Sequence, residues 1–325
     1  MAVAGRRVLI SGMGGELGSR VASLLEEEPW VASLEGIDSD PPRRRLRRAV
    51  YHRIIPGHHD RVVDVVTTFD PHVLVHIAVW EPHSRATPER ARILTDDAAT
   101  SILGAAAECR SLESIVVRSG IEIYGRGRGS VSRPDESARL NPTTGFGKML
   151  AGIEQTATAI GARIGVTVGY LRLAPVIGPH IPSPLGRYLR MPAVPFSALA
   201  DPPFAVVQEI DVAAAFVAAA RIRLSESVNV VAPGAITAFQ AIRRGGRLPI
   251  PLFGPDWAIA RGLSYLAGAP IPEHVLELMH RGRLADGGRA AEVLGVVPTN
   301  TTREVIDKLY SWPSVVHTPA REAAA

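Results

Sequence analysis

Residues 7–18 read RVLISGMGGELG, and no other segment constrains the fold as tightly. The apolar run at 8–10 predicts a buried strand, and Ser11 with Gly12, Gly15 and Gly18 predicts a turn into an apolar-periodic helix. Each glycine serves the turn differently. Gly12 permits a tight bend, Gly15 lets a diphosphate approach the backbone, and Gly18 lets the helix pack on the strand. The first turn of such a helix offers unpaired N–H groups and the positive end of the helix dipole. Asp38 follows Gly18 by twenty residues, at the end of the second predicted strand. A carboxylate there suits the ribose hydroxyls of an adenosine. The expected ligand is therefore a nicotinamide dinucleotide, held by Gly12, Met13, Gly14, Gly15, Glu16, Leu17, Gly18 and Asp38. Asp38 favours NAD, because a carboxylate repels a 2′-phosphate. Arg43 and Arg44 lie just beyond and could bind that phosphate. The cofactor is read as NAD(P)H, with NADH and NADPH both open.

The chain continues by alternation. Further strands are predicted at 33–38, 73–78, 114–119 and 166–173, with helices at 17–28, 59–68, 88–110 and 146–161. Alternation of this kind implies parallel strands with crossover helices, an α/β doubly wound sheet over residues 1–173. Pro175, Pro179, Pro182 and Pro184 then interrupt the pattern. Beyond them the sequence predicts a strand at 228–231 and helices at 211–223, 236–246, 257–267, 272–281, 289–294 and 302–310. Residues 174–312 are expected to form mostly a smaller substrate-binding lobe interleaved with the sheet, and 313–325 a frayed tail.

Several classes are excluded on composition. No apolar stretch is long enough for a bilayer span. The lone Cys109 rules out an internal disulfide, is expected as a buried helix residue, and suits a reducing cytoplasm. The formal net charge is +4, and its densest basic run, at 43–48, has no interleaved aromatic platform, so nucleic acid is not expected. No metal-ligand set is expected either. The partner that remains is a small-molecule substrate.

The segments SGMGGELG (11–18), VLVHIAV (73–79), SGIEIYG (119–125), GFGK (145–148), YLRLAPVIGPH (170–180), EIDVAAAF (209–216), VNVVAPGAIT (228–237) and RLADGGRAAEVLGVVP (283–298) run nearly the whole length. On these the chain resembles the extended short-chain dehydrogenase/reductases, the family of NAD-dependent epimerases and dehydratases. The resemblance implies a Rossmann-type sheet and cofactor contacts from Ala78, Pro175 and Val176. It also implies that Lys148 bonds the nicotinamide ribose, and that two copies pair through the helices at 88–110 and 146–161.

Departures from the family pattern are concentrated at its catalytic positions. The family keeps a Ser or Thr four residues before the tyrosine of a Tyr-Gly pair; here the pair is Tyr124-Gly125 and that position is Gly120. Ser119 stands one place early, on the opposite face of a strand. The family's Tyr-x-x-x-Lys becomes Thr144-Gly-Phe-Gly-Lys148, and its asparagine has no candidate, since Asn141 is the first in the chain. The catalytic candidates are thus Lys148, Thr144 and Ser119, and the substrate-lining candidates are Trp80, Glu122, Tyr124, Phe146, Ile177 and Tyr188. Thr144 is a weak acid beside a phenol of pKa about 10.

Positioning alone can supply roughly 7–11 kcal/mol, whereas general acid catalysis adds about 10²–10⁴-fold. A ketone flanked by a phenolic hydroxyl, as in polycyclic aromatic polyketides, carries its own acid. Lysine kept with serine and tyrosine lost resembles the atypical ketoreductases that act on angucyclinone antibiotics. The expected function is an NAD(P)H-dependent ketoreductase with substrate-assisted protonation. A nucleotide-sugar epimerase or dehydratase, and a non-catalytic NAD(P)-binding sensor or scaffold, stay open.

Overall fold

Strand β1 (Arg6–Ser11) is buried from Val8 onward: Val8, Leu9 and Ile10 have no solvent exposure. In the computed structural model, which describes residues 5–253, 262 and 270–313, β1 is hydrogen-bonded in parallel to a strand on each side. Helix α1 (Glu16–Leu25), β2 (Val31–Asp38), β3 (Val50–Arg53), α2 (His59–Phe69), β4 (Val73–His76) and α3 (Pro88–Ala106) follow. Next come β5 (Ser114–Gly120), a 3₁₀ turn (Ile121–Tyr124), α4 (Gly145–Ile164) and β6 (Thr167–Leu173). The remaining elements are β7 (Val176–Ile177), α5 (Pro184–Leu189), β8 (Ala193–Ser197), β9 (Val207–Gln208), α6 (Glu209–Ile222), β10 (Ser227–Val230), α7 (Ala238–Arg244) and β11 (Leu248–Leu252). Three helices close the described chain: α8 (Glu273–Arg281), α9 (Gly288–Leu294) and α10 (Thr302–Ser311).

The main sheet has seven strands in the order β10-β6-β5-β4-β1-β2-β3, every neighbouring pair parallel. The order reverses between β1 and β4, and the loops leaving those two strands border a crevice there. A second apolar cluster, separate from the sheet core, gathers Ile177, Leu185, Tyr188, Phe204, Val275 and Leu309. Among the described residues no helix is long and apolar enough to cross a membrane.

Several features differ from the sequence expectations. Strand β3 (VYHR) is a half-exposed edge strand, too short and polar to stand out in the sequence. Strands β8 and β11 pair in parallel although Pro195, Pro249 and Pro251 lie within them; a two-stranded ribbon consists of edges, where proline is tolerated. Cys109 lies past the end of α3, half-buried, with its Sγ 3.5 Å from the Val66 carbonyl oxygen. Burial pushes its thiol up to about 11. The helix expected at 257–267 lies outside the described residues, save for Gly262. Helix α5 starts on Pro184 itself, with Ser183 as its cap, so proline marks a helix start there.

One buried ion pair ties α4 to the sheet. Arg172 on β6 donates to Glu154 from Nε (3.0 Å) and Nη2 (2.8 Å), and from Nη1 to the Tyr124 hydroxyl (3.1 Å). The Tyr124 hydroxyl in turn donates to Asn229 Oδ1 on β10, at 2.7 Å. Removing one partner of such a pair strands a buried charge, whereas removing both can be nearly neutral. Arg172→Met should therefore destabilise the protein by about 3–5 kcal/mol, and Arg172→Met with Glu154→Leu by much less. Urea titration of the four proteins of this cycle checks the difference; equal losses in the single and double variants would contradict it.

His76, at the end of β4, is fully buried, and burial lowers its pKa to about 4. The folded protein thus holds a neutral imidazole that the unfolded chain protonates near 6.5. Its contribution is complete above pH 6.5 and is lost as pH falls toward 4. The loss amounts to roughly 3 kcal/mol, the equivalent of that displacement. A His76→Gln variant should lack this part of the stability slope between pH 6.5 and 4.

Candidate active site

The crevice at the reversal of strand order holds a cavity of about 540 Å³. Gly12, Gly15, Glu16, Leu17 and Gly18 line it from the β1–α1 turn, and Asp38 and Asp40 from the end of β2. Ala78, Val79, Trp80 and Glu81 line it from the segment after β4, Arg118 from β5, and Val176, Ile181 and Pro182 from the far side.

The turn fits a dinucleotide on its own geometry. Gly12 has φ +90°, and a Cβ there would come within 2.7 Å of the Ala78 nitrogen. A Cβ on Gly18 would meet the Gly12 carbonyl oxygen at 1.9 Å. Gly15 is different: a Cβ there would meet only the Gly12 oxygen, at 3.7 Å. The protein's own packing does not require glycine at that position, and its open side is the cavity. Asp38 accepts from the Gly14 N–H at 2.9 Å and from the Asp40 N–H at 3.2 Å. Burial raises its carboxyl pKa, opposed by those hydrogen bonds.

The other cofactor candidates divide. Ala78 and Val176 line the cavity. The Met13 side chain is fully buried and packs against Gly36, which leaves only its backbone for a ligand. Arg43 pairs with Asp40 (3.6 Å) and Arg44 with Glu16 (3.0 Å), and neither is part of the cavity wall. The half-buried Pro175 accepts the Val207 N–H through its carbonyl oxygen.

None of the three catalytic candidates lines the cavity. Thr144 is buried and caps α4, its hydroxyl oxygen accepting the Gly147 N–H at 3.2 Å. Ser119 is buried, and its Oγ has no hydrogen-bond partner among the described residues. On the other face, a Cβ on Gly120 would come within 2.4 Å of Glu122 Oε2, so a carboxylate fills the space a serine there would need. Lys148 is exposed on α4 and forms no hydrogen bond or ion pair among the described residues.

Of the substrate candidates, Trp80 reaches the cavity wall. Ile177 and Tyr188 correct the expectation: both are buried in the second apolar cluster, and the Tyr188 hydroxyl donates to the Pro195 carbonyl. Tyr124 is held by Asn229 and Arg172, and burial raises its phenol pKa. Glu122 accepts from Arg283 Nη1 at 3.0 Å, both buried, and Arg283 also bonds Glu277. Phe146 is buried, its ring centroid 4.8 Å from that of His274. Among the described residues no tyrosine lines the cavity.

Glu16 and Asp38 line it as expected, but sequence reasoning missed other charged groups there, among them Glu81 and Arg118. Glu81 is 3.0 Å from His274 Nε2, a contact between residues 193 apart in the chain. Arg118 donates from Nη1 to the Val79 carbonyl oxygen at 3.2 Å. Its signal was available: a lone charge within the otherwise apolar run IVVRSG of a buried strand.

Comparison with known proteins agrees with this geometry. The family model described as the NAD dependent epimerase/dehydratase family matches residues 8–194. An uncharacterised protein of Mycobacterium tuberculosis is 29% identical over 314 residues, which cover 93% of this chain and 83% of that protein. A UDP-glucose 4-epimerase of Thermotoga maritima, solved with UDP-glucose, superposes with a TM-score of 0.72 at 17% identity, covering 94% of this chain and 98% of that one. A UDP-glucose 4-epimerase of Brucella ovis in complex with NAD gives 0.71 at 17% identity, covering 94% and 97%. At such identity the structural likeness speaks for the fold. The family match spans more than half of the 325 residues, and the chain belongs to the NAD dependent epimerase/dehydratase family.

Proposed function

We propose that the protein is an NAD(P)H-dependent ketoreductase whose substrate, a polycyclic aromatic ketone of angucyclinone type, supplies its own proton. The observation that carries this reading is the composition of the cavity wall. The dinucleotide turn and Asp38 are there, whereas no tyrosine of the described chain is. The retained lysine with lost serine and tyrosine is similar to the ketoreductase of simocyclinone biosynthesis.

Bound NAD(P)H supplies the hydride. The chain's own part is to hold and to exclude water. The β1–α1 turn presents backbone N–H groups to the diphosphate. Asp38 takes the adenosine ribose; the family resemblance gives Lys148 the nicotinamide ribose, although its exposed place on α4 lies off the cavity wall. Trp80, Val176, Ile181 and Pro182 give the cavity apolar walls. A phenol beside the ketone polarises the carbonyl and passes its proton to the alkoxide as it forms. Asp38 and Asp40 both line the cavity, and carboxylates beside the adenosine ribose favour NADH over NADPH.

Likeness to nucleotide-sugar epimerases supports a second reading, in which the substrate is a diphosphosugar. That chemistry must remove a proton from a sugar hydroxyl, and Thr144, committed to its helix cap, is a poor base. Following cofactor absorbance with matched peri-hydroxy and peri-methoxy aromatic ketones separates the two. Reduction of the hydroxy compound should exceed that of its methyl ether by about 10²-fold or more, the usual share of a general acid. Equal rates, or turnover of a UDP-sugar instead, would overturn the ketoreductase reading.

A further inference from the structure

Arg118 is a cation that the protein itself leaves unmatched. Among the described residues its one hydrogen bond is to the Val79 carbonyl, although a guanidinium offers five N–H donors. No carboxylate oxygen of a described residue lies within 4.0 Å of its nitrogens. The two acids in its field, Glu81 and Glu122, are each engaged elsewhere, Glu81 with His274 and Glu122 with Arg283, both at 3.0 Å. The most buried arginines of the described chain are paired: Arg172 with Glu154 at 2.8 Å, and Arg283 with Glu122.

Arg118 is half-buried while the rest of β5 is buried, and a partly desolvated guanidinium is unfavourable unless something supplies the opposite charge. Burial acts to lower the Arg118 pKa, while Glu81 and Glu122 act to raise it. Strand alternation puts Arg118 on the same face of β5 as Gly120, which carries no side chain, and Arg118 is part of the cavity wall.

We propose that Arg118 is an anion anchor whose free N–H donors hold an anionic oxygen of a ligand in the cavity. Two sources share this chemistry: the diphosphate of the dinucleotide, and an oxyanion of the substrate. The second source rests on the ketoreductase reading. In that case hydride adds to the carbonyl carbon, and the C=O π pair moves to oxygen. The neighbouring phenol's proton follows, and the phenolate left behind pairs with Arg118. The ketone is reduced, the nicotinamide is oxidised, and solvent later returns the proton to the phenolate. A fixed cation facing developing charge is an effective stabiliser in a water-poor site.

The test compares full-length wild type with Arg118→Gln, which still has a donor for Val79, Arg118→Met and Arg118→Lys. The probes are NADH, ADP-ribose and 1-hydroxyanthraquinone, whose phenolate is seen by visible absorption. If the anion is the diphosphate, Arg118→Gln should weaken NADH and ADP-ribose alike by tenfold or more. If it is the substrate oxyanion, NADH binding should hold while the pKa of the bound quinone rises by at least one unit. Arg118→Lys should keep part of either effect. Either loss without any ketone reduction leaves the anchor standing and removes the ketoreductase reading. Unchanged binding of all three probes and an unchanged quinone pKa in folded Arg118→Gln would overturn the anchor; thermal melting establishes folding, and Arg118→Met repeats the comparison.

Discussion

The close approach of the β1–α1 turn to its own strand and to the segment after β4 governs the rest of the structure. Gly12 packs on the Ala78 backbone, and Gly18 sits against the Gly12 carbonyl; a methyl at either place would collide with main chain. Helix α1 is thereby laid on the sheet with its N-terminus open to the crevice. Asp38 reaches across from β2 and accepts the Gly14 N–H, which locks the turn to the neighbouring strand. The cavity wall and the placement of Asp38 follow from these contacts, which fix the ends of β1, β2 and β4 relative to one another.

The charges around the crevice are arranged unequally. Most acids and bases there are already satisfied by partners: Glu16 with Arg44, Glu122 with Arg283, and Glu81 with His274. Arg118 and the exposed Arg90 are the cations of the cavity wall with no acidic partner among the described residues, and Gly15 is their steric counterpart, a position with room to spare. A site that needs an incoming anion and an incoming volume is a site built around a ligand. Thr144 is taken up by its helix cap, and Glu122 by a buried ion pair.

What the sequence revealed and what it hid divide along the range of the interactions. The β1–α1 turn was legible because its glycines and Asp38 sit at local spacings that backbone geometry alone demands. The parallel sheet was legible because apolar strands alternate with amphipathic helices. Strand β3 and the β8–β11 ribbon were not, since a polar edge strand and proline-bearing strands lack that pattern. The site was less legible still. Arg283 lies 161 residues from Glu122, and His274 lies 193 residues from Glu81, so no local pattern joins them. Ile177 and Tyr188 read as pocket residues, but their side chains were claimed by the second apolar cluster. Nothing in the spacing of a two-residue strand (Ile177) or a six-residue helix (Tyr188) says which face meets the core.

We infer that a pyridine dinucleotide lies on the open side of Gly15. Calorimetric titration of NADH into wild type and Gly15→Val tests it most directly, because Gly15 has extended backbone (φ −69°, ψ 162°) that valine adopts freely. The variant should melt as the wild type does and lose NADH binding by at least about 100-fold, the equivalent of roughly 2.7 kcal/mol. A folded Gly15→Val protein that binds NADH with wild-type affinity would contradict it.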